Sequence, residues 1–319
     1  MYSRTAIKDL KIGAKYQGVY ICKTHAVKVT KTNTPYLDMI LLDKTGEINA
    51  KWWSIDPGFN VDNIEDGNFI IVSFSVEDYM GTPQVKIDRM KIPGPTDMFD
   101  KSEIVPTAPI PAEKMYDELI SAINDMENGD IQRLCYTIIS DNKTALMTAP
   151  GAKSMHHAVV SGLLLHVTGM LKLAETIAEL YAPLVNRDLL VGGVILHDIC
   201  KLREYVLGPV GLCTDYSKEG KLLGHLAMGA SYVEEMGKVL KINPEVTTMI
   251  MHMLLSHHGE PEFGAAVRPQ FLEAVLLAKI DDIDAKIYMV NEVMQSVAPG
   301  EFSPKIYGMG NISMYRPNI

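Results

Sequence analysis

Histidines and aspartates at wide, even intervals in the second half of this chain have the residue types that metal-assisted chemistry needs. His197 and Asp198 are adjacent in GGVILHDICKLREY, set among Val194, Ile195, Leu196 and Ile199, so this turn should be buried. A charged carboxylate among hydrocarbon is costly unless it is paired or bound to a metal. His166 stands 31 residues before His197, and His225 stands 28 after it. His257-His258 begin another 32 on, and Asp281 lies 24 beyond His257. Each falls on a different predicted helix or helix end, so a compact bundle can turn them toward one point. Imidazole and carboxylate donors suit manganese, iron, zinc or magnesium-class ions. One such histidine on an apolar helix would read as core; the set reads as a metal centre.

Positioning these groups takes helices. From Ala112 onward apolar residues recur at i, i+3 and i+4, first in AEKMYDELISAINDM and IQRLCYTIIS. Pro150-Gly151 breaks the pattern before MHHAVVSGLLLHVTGMLKLAETIAELYA, a long helix that carries His166 and ends near Pro183. RDLLVGGVILHDICKL, LLGHLAMGASYVEEMGKVL, EVTTMIMHMLLSHH and PQFLEAVLLAKIDDIDAKIYMVNEVMQ follow as helices. The stripe Met249, Met251 and Met253 reads as core packing. His252, five residues before His257, faces elsewhere and reads as structural. Residues 112–297 are expected as one helical domain, with 298–319 as a tail free to pack back on it.

The first part of the chain is different. Residues 12–92 run in short alternating segments, among them YQGVYICKTHAVKV, YLDMILLD, GEINAKWW, FIIVSFSVEDY and PQVKIDRMKI, punctuated by turn residues. Five such strands in a short span predict a small closed barrel. DPGFNVDNIEDG interrupts them between the third and fourth strands, as in an OB-fold, and Leu41 to Trp53 resembles OB domains of the tRNA-anticodon type. Residues 1–92 form this expected domain. Residues 93–111, with five prolines, read as a semi-extended linker.

Charge follows the same division. The net formal charge is −9, yet residues 1–91 carry 12 Lys/Arg against 11 Asp/Glu, so the acidity lies beyond them, where bound cations would offset it. A near-neutral barrel can present a basic strip with aromatics, on which single strands stack. Tyr20, Tyr36, Trp52, Trp53 and Tyr79 are the aromatic candidates, with Lys23, Lys28, Lys31, Lys51 and Lys86 as cations. Trp52 and Trp53 are adjacent on a strand and point to opposite faces, so at most one is core. Tyr36, Lys51 and Trp52 head the expected strand-contacting set. His25 has no partner legible in the sequence. Four scattered cysteines without CxxC spacing, no secretory pattern at the start and no membrane-length apolar run predict a cytoplasmic protein.

The order H…HD…H…H…D resembles the HD-domain metal-dependent phosphohydrolases. Among them the chain is most similar to the YhaM-type 3′–5′ exoribonucleases, which join an N-terminal OB-fold to a C-terminal HD domain. KSMHHAVVSGLLLHV, GGVILHDICKLREY, GKLLGHLAMG, LLSHHGEPEFGAAVRP and EAVLLAKIDDIDAK carry the likeness, which spans nearly the whole chain. It implies a β-then-all-α multidomain fold, a small OB-type β-barrel followed by a helical HD bundle. It implies ligands His166, His197, Asp198, His225, His257 and Asp281, with His258 as alternate to His257 and Asp282 or Asp284 as rivals of Asp281. Asp198 would bridge two divalent ions, Mn²⁺ first, with Fe, Co or Mg as alternatives. Some relatives hold a third metal through a Glu four residues before the first histidine; Gly162 stands there, so two are expected.

Lys201, three residues after Asp198, shares its helical face and would bind the scissile phosphate. With Asp198 it forms the expected catalytic pair, and two ions would activate a bridging water for in-line attack. His156, His157, Lys153 and Arg268 are expected to contact substrate near the pocket mouth. The implied reaction is hydrolysis of single-stranded RNA, with single-stranded DNA a second substrate, to nucleoside 5′-monophosphates. No membrane partner is expected, and a homo-oligomer stays open. The rivals are an HD-type nucleotide or cyclic-dinucleotide phosphohydrolase and a non-catalytic single-strand-binding protein.

Overall fold

A computed structural model describes residues 4–153 and 157–319. The first compact unit takes in the chain up to Thr107 together with Val206–Asp215. Its five strands are β1 (Lys15–Val29), β2 (Pro35–Asp43), β3 (Gly46–Trp52), β4 (Asn68–Tyr79) and β5 (Thr82–Lys91). They close into a barrel in the order β1-β2-β3-β5-β4, antiparallel except where β3 meets β5. Period-2 alternation decides which face is inside: Leu37, Met39 and Leu41 of β2 are buried while Asp38 and Ile40 between them are not. Phe74, Tyr20 and Trp52 fill the interior. The interruption between β3 and β4 holds one short 3₁₀ turn, Val61–Asn63.

Residues 93–111 are more ordered than a semi-extended spacer. They include a 3₁₀ turn at Lys101–Glu103, Phe99 packs edge-on to Phe69 at 4.9 Å, and Ile104 is buried. A short hairpin, β6 (Tyr205–Leu207) and β7 (Cys213–Tyr216), was not predicted; YVLGPVGLCTDY is too short to show a period.

The second unit, Ala108–Tyr205 and Tyr216–Ile319, is helical. It comprises α1 (Ala112–Asn124), α2 (Gly129–Asp141), α3 (Lys143–Leu146), α4 (Gly162–Leu180), α5 (Arg187–Leu196), α6 (Lys201–Glu204), α7 (Lys218–Leu240), α8 (Pro244–Ser256) and α9 (Leu272–Met294). Asn128, Asn186, Ser217 and Asn243 cap α2, α5, α7 and α8 through their side chains. Beyond Arg187 and Asp188 in its first turn, helix α5 is apolar all round and packs against α2, α4, α8 and α9, which makes it the axis of the bundle. The tail folds back on α9: Arg316 reaches the carbonyls of Met294 and Val297, and Ile306 is buried. Among the described residues, no helix is long and apolar enough to cross a membrane.

Candidate functional site

The GGVILHDICKL segment does not run as one helix. Helix α5 stops at Leu196, the chain turns through His197–Cys200, and α6 begins at Lys201. This break aims Asp198 into the middle of the bundle, where it is 2 % exposed. Its two carboxylate oxygens face different partners. Oδ2 lies 2.6 Å from Lys201 Nζ, 3.2 Å from His197 Nε2 and 3.8 Å from His166 Nε2. Oδ1 lies 3.2 Å from His225 Nε2 and 3.7 Å from His257 Nε2. Asp281 Oδ1, from α9, is 3.2 Å from His166 Nε2.

Each imidazole is held from behind. His197 Nδ1 donates to the Val194 carbonyl at 2.7 Å, and His257 Nδ1 to the Leu254 carbonyl at 2.8 Å. His166 Nδ1 meets Asp284 Oδ2 at 2.7 Å, and His225 Nδ1 lies 3.1 Å from both oxygens of Glu204. These contacts fix ring orientation and leave Nε2 free to point inward, the arrangement that metal-ligating histidines show. His225 gets its aim from a kink: Gly224 has φ +70° inside α7, and the His225 N–H then donates to Glu204 Oε1 at 3.0 Å. A side chain other than glycine would strain that turn.

The inward atoms are buried without hydrogen bonds: Nε2 of His197, His225 and His257, Nδ1 of His258, and Oδ1 of Asp198. Orphaned buried polar atoms are expensive, and five of them in one cluster ask for a common partner. Donor atoms gather within 4.8 Å of one another in one group of His166, His197 and Asp198 and another of His225, His257 and His258, while His157 and Asp284 group with His166 behind the first. Both His257 and His258 therefore point inward. Electrostatics agree with a cation. Burial pushes the His257 pKa well below its ordinary value, keeping the ring neutral as a ligand must be. Burial alone would also lower His166, but the Asp281 and Asp284 carboxylates beside it lift it to about 9, so a cation bound at this ring would have to displace a proton. Burial would raise Asp198, yet Lys201 and His197 hold it well below the carboxylate range, so it stays charged. The residues present fit a metal centre.

Comparison with known proteins meets this geometry directly. A family model described as HD domain matches residues 163–286. The chain is 37% identical to the 3′–5′ exoribonuclease YhaM of Listeria innocua over 98% of each chain. It is 35% identical to the 3′–5′ exoribonuclease YhaM of Shouchella clausii, over 98% of this chain and 97% of that one. The chain belongs to the YhaM family. Among solved structures, the second OB-fold domain of replication protein A from Methanococcus maripaludis aligns with 30% of this YhaM-family chain. That alignment covers 98% of the solved domain, at 17% identity and a TM-score of 0.23.

The other expected contacts of this YhaM-family chain fall out unevenly. His157 is not at a rim: it is 2 % exposed, its Nε2 is 2.8 Å from Asp284 Oδ2, and its ring lies 3.9 Å from that of Tyr288. It does line the cavity, with His166, Lys201 and His258. His156 lies outside the described residues. Lys153 sits over the Tyr216 ring at 5.1 Å, and Arg268 is an exposed partner of Glu260 at 2.7 Å, not a lining residue. His252 Nε2 accepts the Gln270 N–H, and His25 pairs with Asp66.

In the barrel the expectation for Trp52 is corrected. It is 0 % exposed and part of the core, because its place on β3 puts it on the inner face. Trp53 is the surface ring instead, stacked on Tyr36 with centroids 4.5 Å apart. Lys51 Nζ lies 5.3 Å from the Tyr36 centroid and 5.7 Å from that of Trp53. Sequence reading missed Glu204, which looks like an ordinary helix-end charge in KLREY. It gave Asp284 only as a rival ligand, although DxxD spacing places both aspartates of that pair on one helix face.

Proposed function

We propose that this chain is a metal-dependent 3′–5′ exoribonuclease that cleaves single-stranded RNA to nucleoside 5′-monophosphates. One observation carries the reading: the two oxygens of Asp198 face two separate histidine groups, as a carboxylate bridging two ions does. His166, His197 and Asp281 would hold one ion with Asp198; His225, His257 and His258 would hold the other. Mn²⁺ is the expected ion, with Fe, Co or Mg as alternatives. Divalent ions supply Lewis acidity and a nucleophile at neutral pH.

The chain's own residues do the rest. Lys201 is wedged between Asp198 and the Gly151 carbonyl, 2.9 Å away. Burial would lower its pKa, but Asp198 raises it, so a fixed cation stands in the cavity wall for phosphate oxygen. Asp284 and Glu204 keep His166 and His225 from rotating. Tyr36 and Trp53, with Lys51 above them, offer a stacking surface for bases, RNA first and single-stranded DNA second. The four unbridged cysteines suit a reducing cytoplasm; a homo-oligomer is compatible with this reading.

The test is product analysis on 5′-labelled oligonucleotides with metal analysis of the purified protein. A ladder shortening from the 3′ end, with mononucleotide release that a chelator stops and Mn²⁺ restores, is expected. Turnover of free or cyclic nucleotides with no ladder would assign the site to small nucleotides instead.

A further inference from the structure

Among the described residues lining the catalytic cavity, Phe263 is the one large apolar side chain; the rest are titratable groups and small residues. It is 74 % exposed and belongs to neither hydrophobic core. A phenyl ring left in water does nothing for the fold, because apolar surface stabilises only when it is removed from water.

The turn that carries this ring is braced. Pro261–Phe263 form a 3₁₀ turn in which the Phe263 N–H donates to the Glu260 carbonyl at 2.9 Å. The Gly264 N–H donates to Pro261, the Ala266 N–H returns to Leu255 at the end of α8, and Ala265 is buried. Gly264 has φ +99°, and a Cβ there would lie 3.3 Å from His258 Nδ1. The backbone thus passes directly beside one of the inward histidines and then offers an exposed ring at the cavity edge. A ring carried on a braced turn costs little backbone freedom when something packs on it.

We infer that Phe263 is a stacking platform for the 3′-terminal nucleobase of the substrate, a subsite that rests on the exoribonuclease reading above. The chemistry of the cavity divides accordingly. Its histidines, aspartates and Lys201 suit a phosphate and its metals, and none of them suits a flat apolar heterocycle. The nucleotide being released carries its base one ribose away from the bond that breaks, so the base must rest beside the ionic centre. Every base has a π-face, so an aromatic platform accepts all four, as an enzyme that removes one nucleotide after another requires.

The test is a double-perturbation cycle on the full chain loaded with Mn²⁺. Wild type, Phe263→Ala and Phe263→Trp are compared on an oligoribonucleotide with a normal 3′ end and on one whose terminal ribose is abasic. Thermal melting confirms that the exposed position leaves folding unchanged. Release of the terminal nucleotide by Phe263→Ala should fall about tenfold in kcat/KM on the normal end, and Phe263→Trp should restore it. Removing the base from the substrate should cost wild type a similar factor, and the two deletions together should cost no more than either alone. Additive losses, or no loss in Phe263→Ala, overturn the subsite. No loss together with a lowered oligomeric mass would assign the ring to contact between copies. A wild type inert on both oligomers would overturn the exoribonuclease reading and the subsite with it.

Discussion

Asp284 shows how much of a candidate metal centre lies behind the groups that would ligate the ion. One oxygen, Oδ2, takes contacts from both His157 and His166, and these contacts, against the effect of burial, hold the carboxyl at about 2. Removing it leaves His166 free to turn its Nδ1 inward. Asp284→Ala should weaken metal binding about 10- to 100-fold, the usual range for a group that orients a ligand. Calorimetric titration of stripped protein with Mn²⁺ reads this, and unchanged affinity would deny Asp284 that task. A second route reaches the same place. A Cβ on Gly169 would lie 2.5 Å from Asp284 Oδ1, so Gly169→Ala should displace the carboxylate and weaken metal binding in the same direction. Spacing alone could single out His166, His197 and His225 as candidate ligands, and the structure brings these rings around Asp198. Spacing could not find Glu204, because a residue that holds a ligand from behind needs only to be near it in space.

At the scale of elements, the start of α4 is the tightest joint. A Cβ on Gly162 would come within 2.0 Å of the His157 carbonyl, which also accepts the Gly151 N–H at 2.8 Å. Backbone cannot give way as a side-chain tip does. Gly162→Ala should cost ~1–3 kcal/mol as overpacking does, read as a lowered melting temperature; a neutral substitution would show the joint to be loose. The same contact requires position 162 to stay without a side chain. The barrel strands were legible because period-2 alternation is strong in segments such as YLDMILLD. The break after Leu196 was not, because RDLLVGGVILHDICKL satisfies helical periodicity throughout, and only the tertiary site demands that the chain turn. On β2, Asp38 is bound by Lys28 and by Lys51, the latter at 2.9 Å. Burial would raise its pKa, but the two lysines lower it. A depressed carboxyl contributes stability that is present above its unfolded value and lost as pH falls through the folded one. Asp38→Asn should therefore melt slightly below wild type at neutral pH, and the gap should close below about pH 4. A gap that persists in acid would remove the ion pairs as its cause.

For the molecule as a whole, acidity and chemistry share one unit. The HD unit carries the negative excess of the chain, which suits a site that must attract divalent cations, while the barrel is near neutral and shows its charge as Lys51 above two stacked rings. If the barrel holds RNA, neighbouring tryptophans should fail in opposite ways. Trp52 is wholly buried, edge-on to Phe59 at 5.0 Å, so Trp52→Ala should cost ~3–5 kcal/mol of stability. Trp53 is exposed and stacks on Tyr36 at the surface, so Trp53→Ala should melt as wild type does. Its loss should appear in strand affinity, weakened about tenfold as removal of one stacking ring does. Fluorescence anisotropy with labelled single-stranded RNA, in chelator so that no hydrolysis intervenes, measures this directly. Lys51→Ala should weaken binding as well and flatten its salt dependence, since a cation contributes through counterion release and a ring does not. Equal affinity in Trp53→Ala and wild type would move strand binding off this face of the barrel and leave the HD cavity to hold the RNA by itself.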